Sequence, residues 1–498
     1  MLLYLTIIAT ILAILWVRKR YSYWKDRGVA YVTPTFPSGN LGGMGRNEHI
    51  STLMERCYRK LKGNGPFGGI FFYTNPVAIA LDIDFVKNVL VKDFQYFHDR
   101  SFYHNEKDDP LSGHLFAMEG TKWKNLRAKL TPTFTSGKMK MMFPTITAVA
   151  EEFKKILTQE VTNGSEIEIK EIIARFTTDV IGSCAFGLEC NSLHDPEAQF
   201  RKMGRKFFEP EFFKVFKNTI AQQFHTVARA LHVTTIDADV SKFFLSAVKD
   251  TVEHRERHKI ERNDFMNLLI KLKNMEPLDE GCTNNSGTLT LEEISAQAFV
   301  FFLAGFETSS TAMSYCLYEL ALNQELQEKA RKDVFESLRK HGAMTYEAVQ
   351  DMHYVDNCIS ESLRKYPPVS ELTRSISKDY KVPNTNMVLQ KGLTMIVPVY
   401  GIHHDPEHYP NPEKYDPDRF SPEEVAKRNP YCFLPFGEGP RVCIGTRFGQ
   451  MQARVGMAYM LNNFRFTLSD KTPIPLKISS SGIVLTSEGG LWLHVEKL

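Results

Sequence analysis

The sequence contains no pair of cysteines in C-x-x-C spacing, which argues against a zinc-ribbon or thioredoxin-like site. Its eight cysteines, Cys57, Cys184, Cys190, Cys282, Cys316, Cys358, Cys432 and Cys443, are scattered. A chain of 498 residues buries enough surface to need no disulfide staples. Seven of the eight cysteines therefore read as small buried apolar side chains. Dense basic blocks are absent and the net charge is only +3, so nucleic-acid binding has no support. No repeat of solenoid period occurs. A flavin or nicotinamide fingerprint is also missing. The run Gly437-Glu438-Gly439 finds its next glycine only at Gly445, and no strand pattern leads into it. What remains, 43% hydrophobic and 24% charged, is ordinary globular composition, large enough to enclose a cofactor.

Charge is missing, too, from Met1 to Val17. At 1.5 Å per helical residue this run reaches the low end of a bilayer span. Arg18, Lys19 and Arg20 follow directly. A cleaved secretory signal carries its positive charge before the apolar run and a small-residue site after it. This segment has the reverse order, so residues 1–20 are expected to form an uncleaved transmembrane anchor. The positive-inside rule then puts the body in the cytosol, where thiols stay reduced. Residues 21–40, with Pro34 and Pro37, read as a basic, proline-stiffened elbow. Residues 41–498 read as one catalytic domain. Phe207-Phe208 and Phe212-Phe213 are expected to form a second apolar surface that dips into lipid.

Between residues 66 and 90 apolar and polar residues alternate, which predicts short strands followed by a helix at Phe85 to Val91. From about 120 to 370 the pattern is mostly helical. Glu276 to Thr290 is polar and turn-rich and reads as a loop. Leu291 to Asn323 reads as one long helix, with Glu292 and Glu293 where its dipole favours them. Its middle, Phe299 to Leu303, is apolar all round, as in a buried helix. A last helix is expected from about Ile444 to Leu461, and short strands close the chain. The fold class is mainly α, with a smaller β portion built from both ends of the sequence.

The strongest chemical signal is Phe436-Gly437-Glu438-Gly439-Pro440-Arg441-Val442-Cys443-Ile444-Gly445. Its glycines let the backbone turn tightly and approach a flat ligand. Cys443 stands just before a helix, where backbone N–H groups favour a thiolate. Arg441 can meet a carboxylate of the cofactor. A thiolate on haem iron donates electron density that favours O–O cleavage. The competing reading of Cys443, a buried structural cysteine, fits this ten-residue setting poorly.

At Phe436, Gly437, Gly439, Arg441, Cys443 and Gly445 the segment resembles the haem-binding loop of the cytochrome P450 family. Further stretches, among them Phe97-His98-Asp99-Arg100 and Ala185 to Ser192, resemble insect microsomal members of family six. The resemblance implies the P450 fold, with a long central helix over haem b and Cys443 as the axial ligand. In Ala304-Gly305-Phe306-Glu307-Thr308-Ser309, Gly305 is a weak point in the helix. A local break there could admit water. Glu307 and Thr308 look like the family's acid–alcohol pair for oxygen activation. Glu361 and Arg364 share a helix face, and the resemblance adds Arg419 to make a structural brace for the cysteine loop. It also implies that Trp123 and Arg127 hold a haem propionate, with Arg374 and Arg441 as further candidates. Lys122, Lys124 and Lys129 would make a basic face for an acidic electron donor.

The expected pocket is apolar. Its floor is Ala304 and Thr308, one wall is Phe301 or Phe302, and Val369, Leu372 and Ile483 close it. Phe102, Phe116 and Phe212 are expected from mobile segments. The activity implied is insertion of one atom of O2 into an apolar small molecule: a xenobiotic, insecticide, plant toxin or endogenous lipid or hormone. Electrons would come from NADPH through the NADPH–cytochrome P450 reductase, with cytochrome b5 a second donor. The implied location is the endoplasmic reticulum membrane, with the catalytic domain facing the cytosol. Two other readings are a haem-thiolate isomerase or dehydratase, and a non-catalytic haem sensor.

Overall fold

A computed structural model describes residues 1–163, 166–209, 211–276 and 288–498. Leu2–Tyr21, free of glycine and proline, forms one helix with no buried residue and a mean hydropathy of 1.8. It is long and apolar enough to cross a membrane. The segment expected as an elbow packs against the body. Trp24 is buried beneath the first strand and its Nε1 donates to the Ile70 carbonyl at 3.1 Å. Val32 donates to the Gly69 carbonyl at 2.9 Å. Burying the indole stabilises this packing.

Nine strands occur among the described residues: β1 (Phe67–Phe72), β2 (Asn75–Ala80), β3 (Glu166–Glu168), β4 (Leu372–Ser375), β5 (Tyr380–Lys381), β6 (Val388–Leu389), β7 (Thr394–Val397), β8 (Phe464–Leu468) and β9 (Trp492–Lys497). The largest sheet has order β1-β2-β7-β4, so both halves of the chain contribute to it. In its β4–β7 pair, Leu372 faces Val397 and Arg374 faces Met395. Strands β3, β9 and β8 form a second sheet. The helix expected at Phe85 to Val91 begins at Ile83.

The central helix runs Leu291–Leu322. A capping box opens it: Thr290 Oγ1 accepts from the Glu293 N–H, and Glu293 accepts from the Thr290 N–H at 2.9 Å. The helix is continuous through Gly305, so the expected break is absent. Gly305 has a packing reason instead. A Cβ there would stand 2.8 Å from Ile181 Cδ1, on the neighbouring helix Ile169–Ile181. Phe302 is fully buried among Phe186, Phe200, Phe244 and Phe306. Burial of one such ring stabilises by roughly 1.5–3 kcal/mol. The terminal helix is Thr446–Asn463, two residues later than expected at its start. Of the loop expected over 276–290, residues 277–287 lie outside the described residues, as does Cys282.

Candidate haem-thiolate site

The cysteine loop folds back on itself before the terminal helix. The Cys443 N–H donates to the Phe436 carbonyl at 2.9 Å, and the Val442 N–H to Gly439 at 2.9 Å. Gly437 and Gly439 take φ values of +71° and +76°, a region that favours glycine. At Gly439 a Cβ would stand only 2.0 Å from the Leu90 carbonyl oxygen. Among the described cysteines, Cys443 alone is accessible. It opens onto an apolar cavity of about 280 Å³ between this loop and the central helix. The cavity it opens onto lies inside the protein, and this desolvation pushes its thiol up, opposed by the Gly445 backbone N–H, the Thr446 hydroxyl and Arg127.

Three arginines, Arg441, Arg127 and Arg100, line this space, and Arg374 is buried close enough to repel Arg441 and Arg100. Arg441 donates from Nε to the His98 carbonyl at 2.8 Å and from Nη2 to Met118 at 2.9 Å. Its guanidinium lies 3.9 Å above the Trp123 ring. Arg127 donates to the Val442 carbonyl at 2.9 Å. Arg100 donates to the carbonyls of Phe116 and Arg441, both at 3.2 Å. Arg374 donates to the carbonyl of its neighbour Thr373 at 2.9 Å. Burial pushes Arg441 down to about 9 and Arg374 down to about 10. Arg100 is lowered by burial first, then by repulsion from Arg374 and Arg441. Arginine stays charged at neutral pH, so the group is a positive cluster. Among the described residues, the one carboxylate paired with it is Asp99, 3.4 Å from Arg441. Arg441 Nη1 and Arg374 Nε are buried without a partner among the described residues. Unpaired buried donors are rare, and two of them beside an apolar slot fit the two propionates of haem b.

The expected brace comes together. Arg364 Nε and Nη2 meet the two Glu361 oxygens at 2.8 and 2.9 Å, both residues fully buried. Arg419 Nε lies 3.4 Å from Glu361 Oε1. The link to the cysteine loop is His403. Its Nδ1 donates to the Arg364 carbonyl at 3.1 Å, and its Nε2 accepts from the Leu434 N–H at 2.9 Å. Burial holds this imidazole well below its usual range, hence neutral, as that donor–acceptor pairing requires.

Ala304, Thr308, Phe301, Val369, Leu372 and Phe116 line the cavity, with Trp123, Arg127 and Arg441. Phe102 stacks behind Phe116 at 5.3 Å. One open choice is resolved and two expectations are corrected. Phe302 points into the aromatic core, so Phe301 is the wall. Ile483 lies on an exposed loop and lines a different cavity. Glu307 lines that second cavity as well, its Oε1 2.6 Å from Lys170 Nζ. Consecutive helical residues are about 100° apart, and the lysine draws Glu307 to the far side. Thr308 stays on the cysteine side and its hydroxyl donates to the Ala304 carbonyl at 2.5 Å. The side chain of Phe212 lies outside the described residues. Phe207 and Phe208 pack on Phe299 and Phe306 rather than facing outward. Of the expected basic face, Lys122 pairs with Glu106 and Lys129 donates to the Thr288 carbonyl, while Lys124 is exposed. Sequence reasoning missed the roles of Arg100, His403 and Lys170.

The cytochrome P450 family model matches residues 31–494. The chain is 46% identical to "Probable cytochrome P450 6a13" of Drosophila melanogaster, covering all of this chain and 99% of that protein. It is 47% identical to "Cytochrome P450 6a2" of the same species, over 100% of this chain and 99% of the relative. Against "Cytochrome P450 6A1" of Musca domestica it is 44% identical, over 100% and 98%. Members of this family bind haem b through a cysteine thiolate and act as monooxygenases. An accessible cysteine under a long buried helix, an arginine-rimmed apolar cavity and end-to-end similarity to these relatives agree, and the chain belongs to the cytochrome P450 family.

Proposed function

We propose that this is a membrane-anchored monooxygenase of apolar small molecules in which Cys443 is the axial ligand. The observation that carries the reading is the accessible Cys443 thiol in an apolar cavity also lined by Ala304 and Thr308. Haem b, when bound, supplies the reductive activation of dioxygen, and the thiolate's electron donation favours O–O cleavage. Arg441, Arg374, Arg127 and Arg100 would hold the propionates, and Trp123 positions the Arg441 guanidinium. Glu361, Arg364 and Arg419 fix the cysteine loop through His403. Ala304, Phe301, Val369 and Leu372 exclude water and orient the substrate beside Thr308. Thr308 would hold a proton donor in the Cys443 cavity, and Glu307 would supply protons from the Lys170 side. One oxygen atom enters the substrate; the other leaves as water, consuming two electrons and two protons.

Electrons come from the NADPH–cytochrome P450 reductase, with cytochrome b5 as a second donor. The exposed Lys124 belongs to the docking face. The body faces the cytosol at the endoplasmic reticulum membrane. Besides the anchor helix, Phe213, Phe216 and Ile220 on the helix Phe212–Gln223, Val227 on the helix His225–Ala230, and Phe224 and Leu231 at the ends of these helices are exposed and supply a second lipid contact. Cys443→Ser tests the site: the strongly red-shifted Soret band of the reduced carbon monoxide complex should vanish. Cys432→Ser should keep it. A red-shifted band in Cys443→Ser would move the ligand to another cysteine.

A further inference from the structure

Glu307 and Thr308 are adjacent in sequence, yet the structure separates them. Glu307 opens onto the second cavity, of about 340 Å³, and is paired with Lys170. Thr308 opens onto the Cys443 cavity, its hydroxyl committed to the Ala304 carbonyl. A direct hand-off of a proton between them has no geometry in this arrangement. Two further hydroxyls on the same helix are available. Thr311 Oγ1 and Tyr315 Oη are buried with no hydrogen-bond partner among the described residues. A helical threonine ordinarily returns its hydroxyl to the carbonyl one turn earlier. Here Ser310 Oγ takes the Glu307 carbonyl, at 3.0 Å, and Thr311 has no such bond.

Helical geometry fixes where these groups stand. At about 100° per residue, Thr311 lies about 40° from Glu307 and about 60° from Thr308, between the two. Tyr315 lies about 20° from Thr308, two turns along. Aromatic side chains on a helix lean toward its N-terminus, which carries the Tyr315 hydroxyl back toward Thr311. The ring is held there by stacking on Tyr366, with centroids 4.4 Å apart and planes at 10°. Buried hydroxyls without a protein partner are satisfied by ordered water.

We propose that Thr311 and Tyr315 are positioning residues for proton delivery: their hydroxyls share ordered water on the edge of the central helix that joins Glu307 in one cavity to Thr308 in the other. The two protons that leave with the reduced oxygen atom as water travel this edge. The second cavity, lined by Glu307, Lys170, Arg201 and Ser481, connects the path to solvent.

The inference rests on the monooxygenase reading, and the test separates the two. Thr311→Val, Tyr315→Phe and the double variant are made in the full-length holoenzyme and compared with Thr308→Ala. Each variant is first measured by thermal unfolding, independent of turnover. Shared water predicts that either single change lowers the midpoint, because the remaining hydroxyl loses its partner, and that the double variant is no worse than the poorer single. Hydroxyls with no water would give unchanged or raised midpoints that simply add, and that overturns the proposal. Coupling is then read with reductase, NADPH and an alkoxycoumarin ether whose dealkylated product fluoresces. Both single variants should release several-fold more hydrogen peroxide per NADPH, with an enlarged solvent isotope effect and an unchanged carbon monoxide spectrum. Parent-like coupling in both, alongside an uncoupled Thr308→Ala, overturns the proposal. Parent-like coupling in Thr308→Ala itself overturns the underlying role of Thr308 and the path that leads to it.

Discussion

Replacing Gly439 by alanine asks how much of the haem site depends on one backbone approach. Two costs add at this position. The φ of +76° penalises any L side chain by about 1–2 kcal/mol. The new Cβ would also stand 2.0 Å from the Leu90 carbonyl oxygen. That atom is backbone, so relief requires moving a chain segment, at about 1–3 kcal/mol. The sum is roughly 2–5 kcal/mol. Gly392 provides the control. Its φ is +85°, with nothing within 4 Å of an added Cβ, so Gly392→Ala carries only the first cost. In a chain of 498 residues unfolding entropy is of order 1 kcal/mol per kelvin, so the midpoint moves only about 1 °C per kcal/mol. A local reporter therefore discriminates better. Gly439→Ala should lose most of its haem or of its thiolate-type carbon monoxide band, because Cys443 is four residues away on the same turn. Gly392→Ala should retain both. If Gly439→Ala keeps full haem content and the same band, the close approach to Leu90 is dispensable and the account of this loop fails.

Arg374→Met should leave the protein folded, since it removes a buried charge that has no carboxylate partner, but lower haem affinity about 10- to 100-fold, the worth of one charge-assisted bond of roughly 1.5–3 kcal/mol; haem transfer to apomyoglobin measures it, and an unchanged transfer rate would contradict the propionate assignment. Deleting residues 2–19 should release protein from membranes with the haem spectrum intact, whereas Trp24→Ala, which opens a cavity under β1, should cost about 3–5 kcal/mol in denaturant unfolding; a negligible loss would restore residues 21–40 as a mere spacer. Stability should fall in mild acid. His403 is held well below its usual range and His404 down to about 3, both by burial, while the unfolded chain titrates near 6.5. Their contribution is complete above about pH 6.5 and is lost as pH falls toward the folded values, because the unfolded state then binds the extra protons. At pH 5.5 the two together cost about 3 kcal/mol, His404→Gln should flatten that slope, and an unchanged urea midpoint between pH 7.5 and 5.5 would refute it.

The parts legible in the sequence are those where local chemistry and tertiary demand coincide. The glycines around Cys443 announce a tight loop because no other residue tolerates their φ. The central helix is bounded to within one residue because its acidic first turn, Glu292 and Glu293, and its apolar middle both show in the sequence. Glu361 and Arg364 were readable because the i, i+3 spacing places both on one face before Pro367 stops the helix. The β portion was readable as strands, but its order was not, since β2 pairs with β7 across more than three hundred residues.

The parts that misled are those where one residue's direction depends on a distant partner. Nothing around Glu307 says that Lys170, 137 residues earlier, will pull it off the haem side. The helical period alone gives its angle to Thr308 but not the rotation of the helix. Ile483 failed for the related reason that its surroundings carry no periodicity to orient it. Arg100 sits in a loop, where an arginine ordinarily means solvent; its signal was the aromatic and apolar setting of Phe97 and Phe102, which an exposed charge does not need. Residues 21–40 held a comparable signal. Tyr21, Tyr23 and Trp24 are costly to leave in water, and a segment that carries them is expected to pack its aromatic rings against the body. The same weighing applies to Thr311 and Tyr315. A polar group in an otherwise apolar helix asks what satisfies it, and among the described residues the protein does so for Ser310 and Ser314 but not for those two. That asymmetry, rather than any motif, is what marks the edge of the central helix between the two cavities as a place where water and protons belong.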